Sequence, residues 1–350
     1  RPSCAPHPQF VARGRDPRVL PPQAQHRNLL PDRDYALMLG RTAANLFWMS
    51  RYVERAENIA RLLDVGYRMS LTERGEDASE HLMSMMRAAE MDEGFLAKHQ
   101  GAEIAAVAQY MLFDTDNPSS VRSCLEKART NARSVRTAIT GDMWESLNAT
   151  WLEFSQIQPR SVVGNRLPGF LQWIKQQSNQ FRGALLGTIL RDDGFAFAQA
   201  GNFIERADNT ARILDVKYYV LLPRADMVGS EVDIQQWTLI LRAASAHRAY
   251  RHVYHDRYRA RNIADFLIFR KEMPRSLAFC ATSVTSMLGM LEQIYEEPSS
   301  CHDEAIKLAQ MLTAGSMDKV FNEGLHEYLV GIIAANNRLT TSISETYNFY

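Results

Sequence analysis

The stretch Glu54-Arg55-Ala56-Glu57-Asn58-Ile59-Ala60-Arg61-Leu62-Leu63-Asp64-Val65 recurs in the same chain as Glu205-Arg206-Ala207-Asp208-Asn209-Thr210-Ala211-Arg212-Ile213-Leu214-Asp215-Val216. Nine of the twelve positions are identical, at an offset of 205 − 54 = 151. Two more matches follow in the same order. Arg87-Ala88-Ala89 pairs with Arg242-Ala243-Ala244, and Phe113 to Cys124 pairs with Phe269 to Cys280 at an offset of 156. Collinear matches at nearly one offset predict a tandem duplication of a unit of about 155 residues. That period is far too long for a solenoid repeat, so two homologous halves are expected.

Outside these matches the 3.6-residue period dominates, and no alternating runs or Asn-Gly and Asp-Gly hairpin turns stand out. Helices are predicted over 38–71, 79–93, 101–113, 118–140, 142–156, 168–190, 194–222, 231–259, 261–270, 274–297, 303–315 and 318–347. Pro118, Pro168 and Pro274 suit first-turn positions, where the missing N–H does no harm. The fold class is therefore all-α, a helical bundle built from the duplicated unit. Residues 1–37 hold seven of the 13 prolines and lack periodicity, so they are expected to form a disordered Pro/Arg-rich leader. Residues 38–157 then form the first helical half and 158–350 the second, packed as one body, with the linker at Gln158 to Arg166.

The 350 residues carry 40 Lys+Arg against 40 Asp+Glu. Zero net charge argues against a protein that works chiefly on nucleic acid or an anionic membrane surface. Cys4, Cys124, Cys280 and Cys301 form no Cys-x-x-Cys pair, so neither a disulfide framework nor a structural zinc is suggested. No run approaching 18 apolar residues stands out in the sequence. These readings place the protein in the cytoplasm, with no nucleic-acid or membrane partner.

On a helical wheel Glu54, Asn58 and Arg61 share one polar stripe two turns long, and Glu205, Asn209 and Arg212 repeat it. A solvated face would hold no particular trio fixed between diverged halves, because exposed pairs are worth only about 0.3 to 0.5 kcal/mol. A buried or site-facing ladder is expected instead, either a structural network or a functional site. If the two helices run antiparallel, Glu54 meets Arg212 and Arg61 meets Glu205.

The two Glu-Arg-Ala-(Glu/Asp)-Asn-x-Ala-Arg segments, with Ala128-Arg129-Thr130-Asn131-Ala132-Arg133 and with Phe266-Leu267 followed by Pro274-Arg275-Ser276, resemble the alpha-E family over residues 38–350. That family is named for an all-helical domain carrying an ER motif. Its members are typically encoded beside, or fused to, a circularly permuted ATP-grasp protein and a transglutaminase-like protease. The resemblance implies a non-catalytic or accessory helical partner of the ATP-grasp ligase in peptide or amide synthesis or modification, with the protease as a second partner.

The alternative is an enzyme of peptide or amide chemistry with Glu54 or Glu205 as general base. Candidate ligand contacts are Arg55, Asn58, Arg61, Arg206, Asn209, Arg212, Arg129, Arg133 and Arg275, since arginine offers a planar fork to carboxylates. No cofactor or metal is called for. Glu323-x-x-His326 is a single motif where a di-iron bundle needs two. The run His247, His252, His255 with Tyr250, Tyr254 and Tyr258 has the spacing of a helix face. No Walker loop, dinucleotide fingerprint or nucleophile elbow is present, so phosphate chemistry would belong to the partner.

Overall fold

A computed structural model describes residues 38–72, 76–221, 230–255 and 258–349. The expectation for residues 1–37 lies outside them. The described residues are all-α, with fifteen helices. These are α1 (Gly40–Thr72), α2 (Glu76–Ala88), α3 (Asp92–Leu96), α4 (Ile104–Phe113), α5 (Val121–Ser134), α6 (Gly141–Gln156), α7 (Leu167–Thr188) and α8 (Asp193–Leu221). They continue as α9 (Glu231–Ala243), α10 (His247–Tyr254), α11 (Ala260–Ile268), α12 (Leu277–Tyr295), α13 (Ser300–Thr313), α14 (Met317–Glu323) and α15 (Leu325–Thr346).

Helices α1 and α8 form the spine. From Leu46 to Val65, α1 is buried around nearly its whole circumference, its apolar side by Phe47, Met49, Val53, Ala56, Ala60 and Leu63, its polar side by Glu54, Glu57, Asn58 and Arg61. A helix covered on all sides belongs at the centre of a bundle. Around it, α1 packs against α5 and α7 while α8 packs against α12 and α15. Helix α6 joins α5 to α7 as α13 joins α12 to α15, and α2 reaches across to α8 as α9 reaches across to α1.

The two spine helices run parallel. A Cβ at Gly201 would collide with the Phe47 carbonyl, Arg55 bonds Glu205 and Arg206 bonds Glu54. Their separations, 154, 150 and 152 residues, stay nearly constant along the chain. An antiparallel pair would instead keep the sum of residue numbers constant. Glycine at 201 lets the backbones approach where any side chain would wedge them apart.

Several predicted boundaries shift. The helix expected over 79–93 stops at Ala88, and the one expected over 231–259 stops at Ala243; each is followed by a positive-φ residue, Glu90 (φ 54) and Ser245 (φ 52). The helix expected over 318–347 is cut at Gly324, whose φ of 95 suits glycine. Pro168 sits at the start of α7 as anticipated. Pro118 and Pro274 instead precede Ser120 and Ser276, the hydroxyl caps of α5 and α12, which accept from the N–H of Ser123 and Phe279. Helix α12 is, by length and composition alone, apolar enough to cross a membrane, contrary to the sequence reading; its Leu277, Cys280, Val284, Leu288 and Leu291 are buried in the bundle.

Candidate functional site

The repeated Glu-Arg pairs interlock. Arg206 donates from Nε and Nη2 to the two oxygens of Glu54 at 3.1 and 3.0 Å. Arg55 donates from Nε and Nη2 to those of Glu205 at 2.5 and 2.9 Å. The antiparallel expectation is thus corrected: Glu54 does not meet Arg212, nor Arg61 Glu205, because in a parallel pair each residue faces its near counterpart.

Arg61 and Arg212 do something different and do it alike. Each forms a fork onto the acid four residues earlier, Arg61 on Glu57 and Arg212 on Asp208. The remaining nitrogen crosses to the opposite half and caps a helix end. Arg61 Nη1 donates to the Ala243 carbonyl at 3.0 Å and to Ser245 Oγ at 2.7 Å. Arg212 Nη1 donates to the Ala88 carbonyl at 3.1 Å and pairs with Glu90 at 2.9 Å. Terminal helix carbonyls lack partners within the helix, and a guanidinium supplies both the hydrogen bond and the favourable charge. This explains why α2 and α9 stop where they do.

The two carboxylate clusters then diverge. Around Glu54 and Glu57, Arg275 enters from the turn before α12 and donates to Glu54 Oε1 at 2.8 Å and to Glu57 Oε1 at 2.7 Å. Arg182 of α7 also reaches Glu54, at 2.8 Å, and pairs with Glu57. Burial alone would raise the pKa of Glu54, but Arg206, Arg275 and Arg182 hold it well below the carboxylate range. Glu57 is likewise lowered, against burial and the charge of Glu54, by Arg275, Arg61 and Arg182. Burial pulls the Arg275 guanidinium down to about 10 despite both glutamates.

Around Glu205 the second guanidinium is Arg51, donating at 2.8 Å from α1 itself. Burial opposes ionisation, yet Arg55 and Arg51 bring the Glu205 pKa down to about 2. Among the described residues, no guanidinium on this side stands where Arg275 stands on the other. The position 156 residues before Arg275 is Ser119, and beside it lies a cavity of about 140 Å³. Arg55, Asn58, Glu205, Asp208, Asn209 and Arg212 line it, with Glu90 at its exposed rim. Asn58 is 4% exposed, and its Nδ2 has no hydrogen-bond partner in this structure.

The interlocked Glu-Arg pairs give the comparison with known proteins its meaning. Residues 38–348 match a family described as "a predicted alpha-helical domain with a conserved ER motif". The chain belongs to the Alpha-E family. Among proteins similar to this Alpha-E chain, an uncharacterized protein of Mycobacterium bovis is 26% identical over 270 residues, covering 70% of this chain and 29% of the relative. An uncharacterized protein of Mycobacterium tuberculosis is 25% identical over the same span and shares. The chain therefore spans less than a third of the length of these relatives. No solved structure matches it.

Of the candidates read from sequence, Arg55, Asn58, Asn209, Arg212 and Glu205 gather at the cavity of this Alpha-E domain. Glu54, Arg61, Arg206 and Arg275 lie in the buried network beside it. Arg129 and Arg133 join neither. Arg129 bonds Asn148 and lies over Trp144 on the outer face of α5, and Arg133 is exposed, so their expected role as a clamp at this site has no geometric support. Glu323 and His326 fall on either side of the Gly324 break, and His326 pairs with Asp215 at 2.7 Å. Sequence reasoning passed over Arg51, Arg182, Glu90, Ser119 and Ser245. The first two have no repeated partner; Glu90 and Ser245 follow the matched Arg-Ala-Ala segments by one residue, and Ser119 lies inside the matched segment Phe113 to Cys124, opposite Arg275.

Proposed function

We propose that this Alpha-E protein is a non-catalytic helical partner that docks on a circularly permuted ATP-grasp ligase and orders its handling of a peptide or amide substrate. The observation that carries this reading is the saturation of the signature glutamates. Glu54 and Glu205 accept three and two guanidinium groups respectively, are buried, and have pKa values below the ordinary carboxylate range. A general base needs a pKa near the working pH and a lone pair facing substrate. The ER motif instead locks two helices in register, in the way buried polar seam residues specify partners in parallel helix pairs. With no phosphate-binding loop in the sequence, nucleotide chemistry falls to the partner.

The same geometry supports descent of the two halves from one duplicated unit. The cross-paired Glu-Arg motifs, the reciprocal capping of Ala88 and Ala243 and the matched positive-φ residues all recur at nearly one offset. Because α7 packs on α1 and α6 as α15 packs on α8 and α13, the packing favours a boundary after α7 over one at residue 157.

Glu205 does line a cavity, which keeps an enzyme of amide chemistry as the second reading. Co-expression with the ATP-grasp protein, followed by an amide-bond assay on each protein alone and on the pair with ATP, separates the two. Stable association with product formed only by the pair is the expected result. Ligation by the ATP-grasp protein alone with no association removes the partner role, and ATP-independent turnover by this chain alone establishes the enzyme.

A further inference from the structure

The two carboxylate clusters provide an internal comparison at a ligand site. On the closed side, Arg275 places its guanidinium across Glu54 Oε1 and Glu57 Oε1, with Asn58 Oδ1 3.5 Å away. The counterparts of these three residues in the repeated segment are Glu205, Asp208 and Asn209, and all three line the cavity beside Ser119. The turns that carry Arg275 and Ser119 are built alike: each runs into a serine cap, Ser276 or Ser120, whose N–H bonds the carbonyl three residues back, Met273 or Asn117. The open side thus presents acceptors at the counterpart positions, held by Arg55 and Arg212 but with a serine in the place of Arg275.

Hydrogen bonding agrees. Three carboxylates line the cavity: Glu205 is held by Arg55 and by Arg51 behind it, while Asp208 and Glu90 share Arg212. On the closed side Glu54 Oε1 accepts from both Arg206 and Arg275, whereas Glu205 Oε1 accepts from Arg55 alone, so a second acceptor direction stays open. Asn58 also lines the cavity, while its amide is turned toward the closed side, Oδ1 lying 3.5 Å from Arg275. The cavity is roomy enough for several waters, and hence for a planar guanidinium, with an entrance at Glu90, whose side chain is 72% exposed.

We propose that the cavity between α1 and α8 is a recognition site for an external guanidinium group, the side chain of an arginyl peptide or a small guanidine, held by Glu205, Asp208 and Asn209 as Arg275 is held by Glu54, Glu57 and Asn58. The inference rests on the correspondence between the two repeated segments and does not require the ATP-grasp partner.

The test is calorimetric titration of the full chain, alone, with Gly-Arg-Gly, Gly-citrulline-Gly, Gly-Lys-Gly, L-arginine and agmatine at up to millimolar concentration. Gly-Arg-Gly is expected to bind at least tenfold more tightly than its neutral citrulline counterpart. Binding by the tripeptide but not agmatine assigns a peptide side chain as the source, and equal binding by agmatine assigns a free guanidine. Ser119→Arg supplies the missing guanidinium internally and should abolish binding without lowering the melting temperature; Asp208→Asn should weaken binding at least tenfold and serves if Ser119→Arg does not fold. No binding by any guanidinium probe, equal binding by the citrulline peptide, or undiminished binding by a folded Ser119→Arg or Asp208→Asn variant overturns the proposal. Because no partner is present in the assay, such a failure leaves the docking role in place, while loss of association with the ATP-grasp protein would leave the guanidinium site in place.

Discussion

The Glu54 cluster and the Glu205 cluster start from nearly the same twelve residues and end in different states. The first is closed: two carboxylates face four guanidiniums, from Arg61, Arg182, Arg206 and Arg275, in a nearly dry interior. The second is open: Glu205 is held by Arg51 and Arg55, and Ser119 leaves a cavity. The guanidiniums beyond the ER pairs also come from different places, α7 and the turn before α12 for Glu54 and α1 for Glu205. Identical motifs therefore fix how the spine helices meet, while single positions outside the motifs decide whether the junction is sealed.

The largest expected effect that sharpens this contrast is Glu54→Ala. It strands Arg206 without a carboxylate in the interior, leaves Arg275 and Arg182 to share Glu57, and should cost about 3 to 5 kcal/mol in urea denaturation. Glu205→Ala should cost less: Arg51 also loses its carboxylate, but the half-buried Arg55 can turn toward the cavity and rehydrate. Pairing Glu54→Ala with Arg206→Ala should be strongly non-additive, the double variant being little worse than either single. Equal costs for Glu54→Ala and Glu205→Ala would break the distinction between a closed and an open cluster.

Acid is the next lever. Glu205 ionises at about 2 in the fold against an ordinary 4.5, and Glu54 and Glu57 are also lowered. A depressed carboxylate pKa gives stability that is complete above the ordinary value and is lost as pH falls through the folded one. Unfolding free energy should therefore be flat above about pH 5 and fall by about 3 kcal/mol for Glu205 alone between pH 4.5 and 2. A flat profile through that window would show that these carboxylates are not ion-paired in solution.

Smaller changes probe the positions that set the two states apart. Arg275→Ala should cost about 2 kcal/mol, less than Glu54→Ala, because Arg182, Arg206 and Arg61 still cover both acids. Ser119→Arg should gain about 1 kcal/mol, the new charged hydrogen bonds outweighing the side-chain entropy lost; a loss larger than that would mean the open side cannot accept what the closed side holds. Arg133→Ala, on an exposed face, should change the melting temperature by less than a degree or two.

By itself the sequence determined the fold class, the central place of the two repeated helices and most of the residues at their junction. Helical periodicity is local, and an exact repeat of Glu, Arg and Asn singles out positions that a solvated face has no reason to keep. The tertiary structure decided what each residue touches. Whether Glu54 meets Arg206 or Arg212 depends on the relative direction of two helices about 150 residues apart, which no local pattern encodes and which close packing at Gly201 and Phe47 sets. The capping of Ala88 and Ala243 by arginines of the opposite half, the arrival of Arg51 and Arg182 and the cavity beside Ser119 all arise from chain segments far apart in sequence. Composition names the charges available, and only packing assigns their partners, because a buried ion is stable solely beside the groups that replace its water.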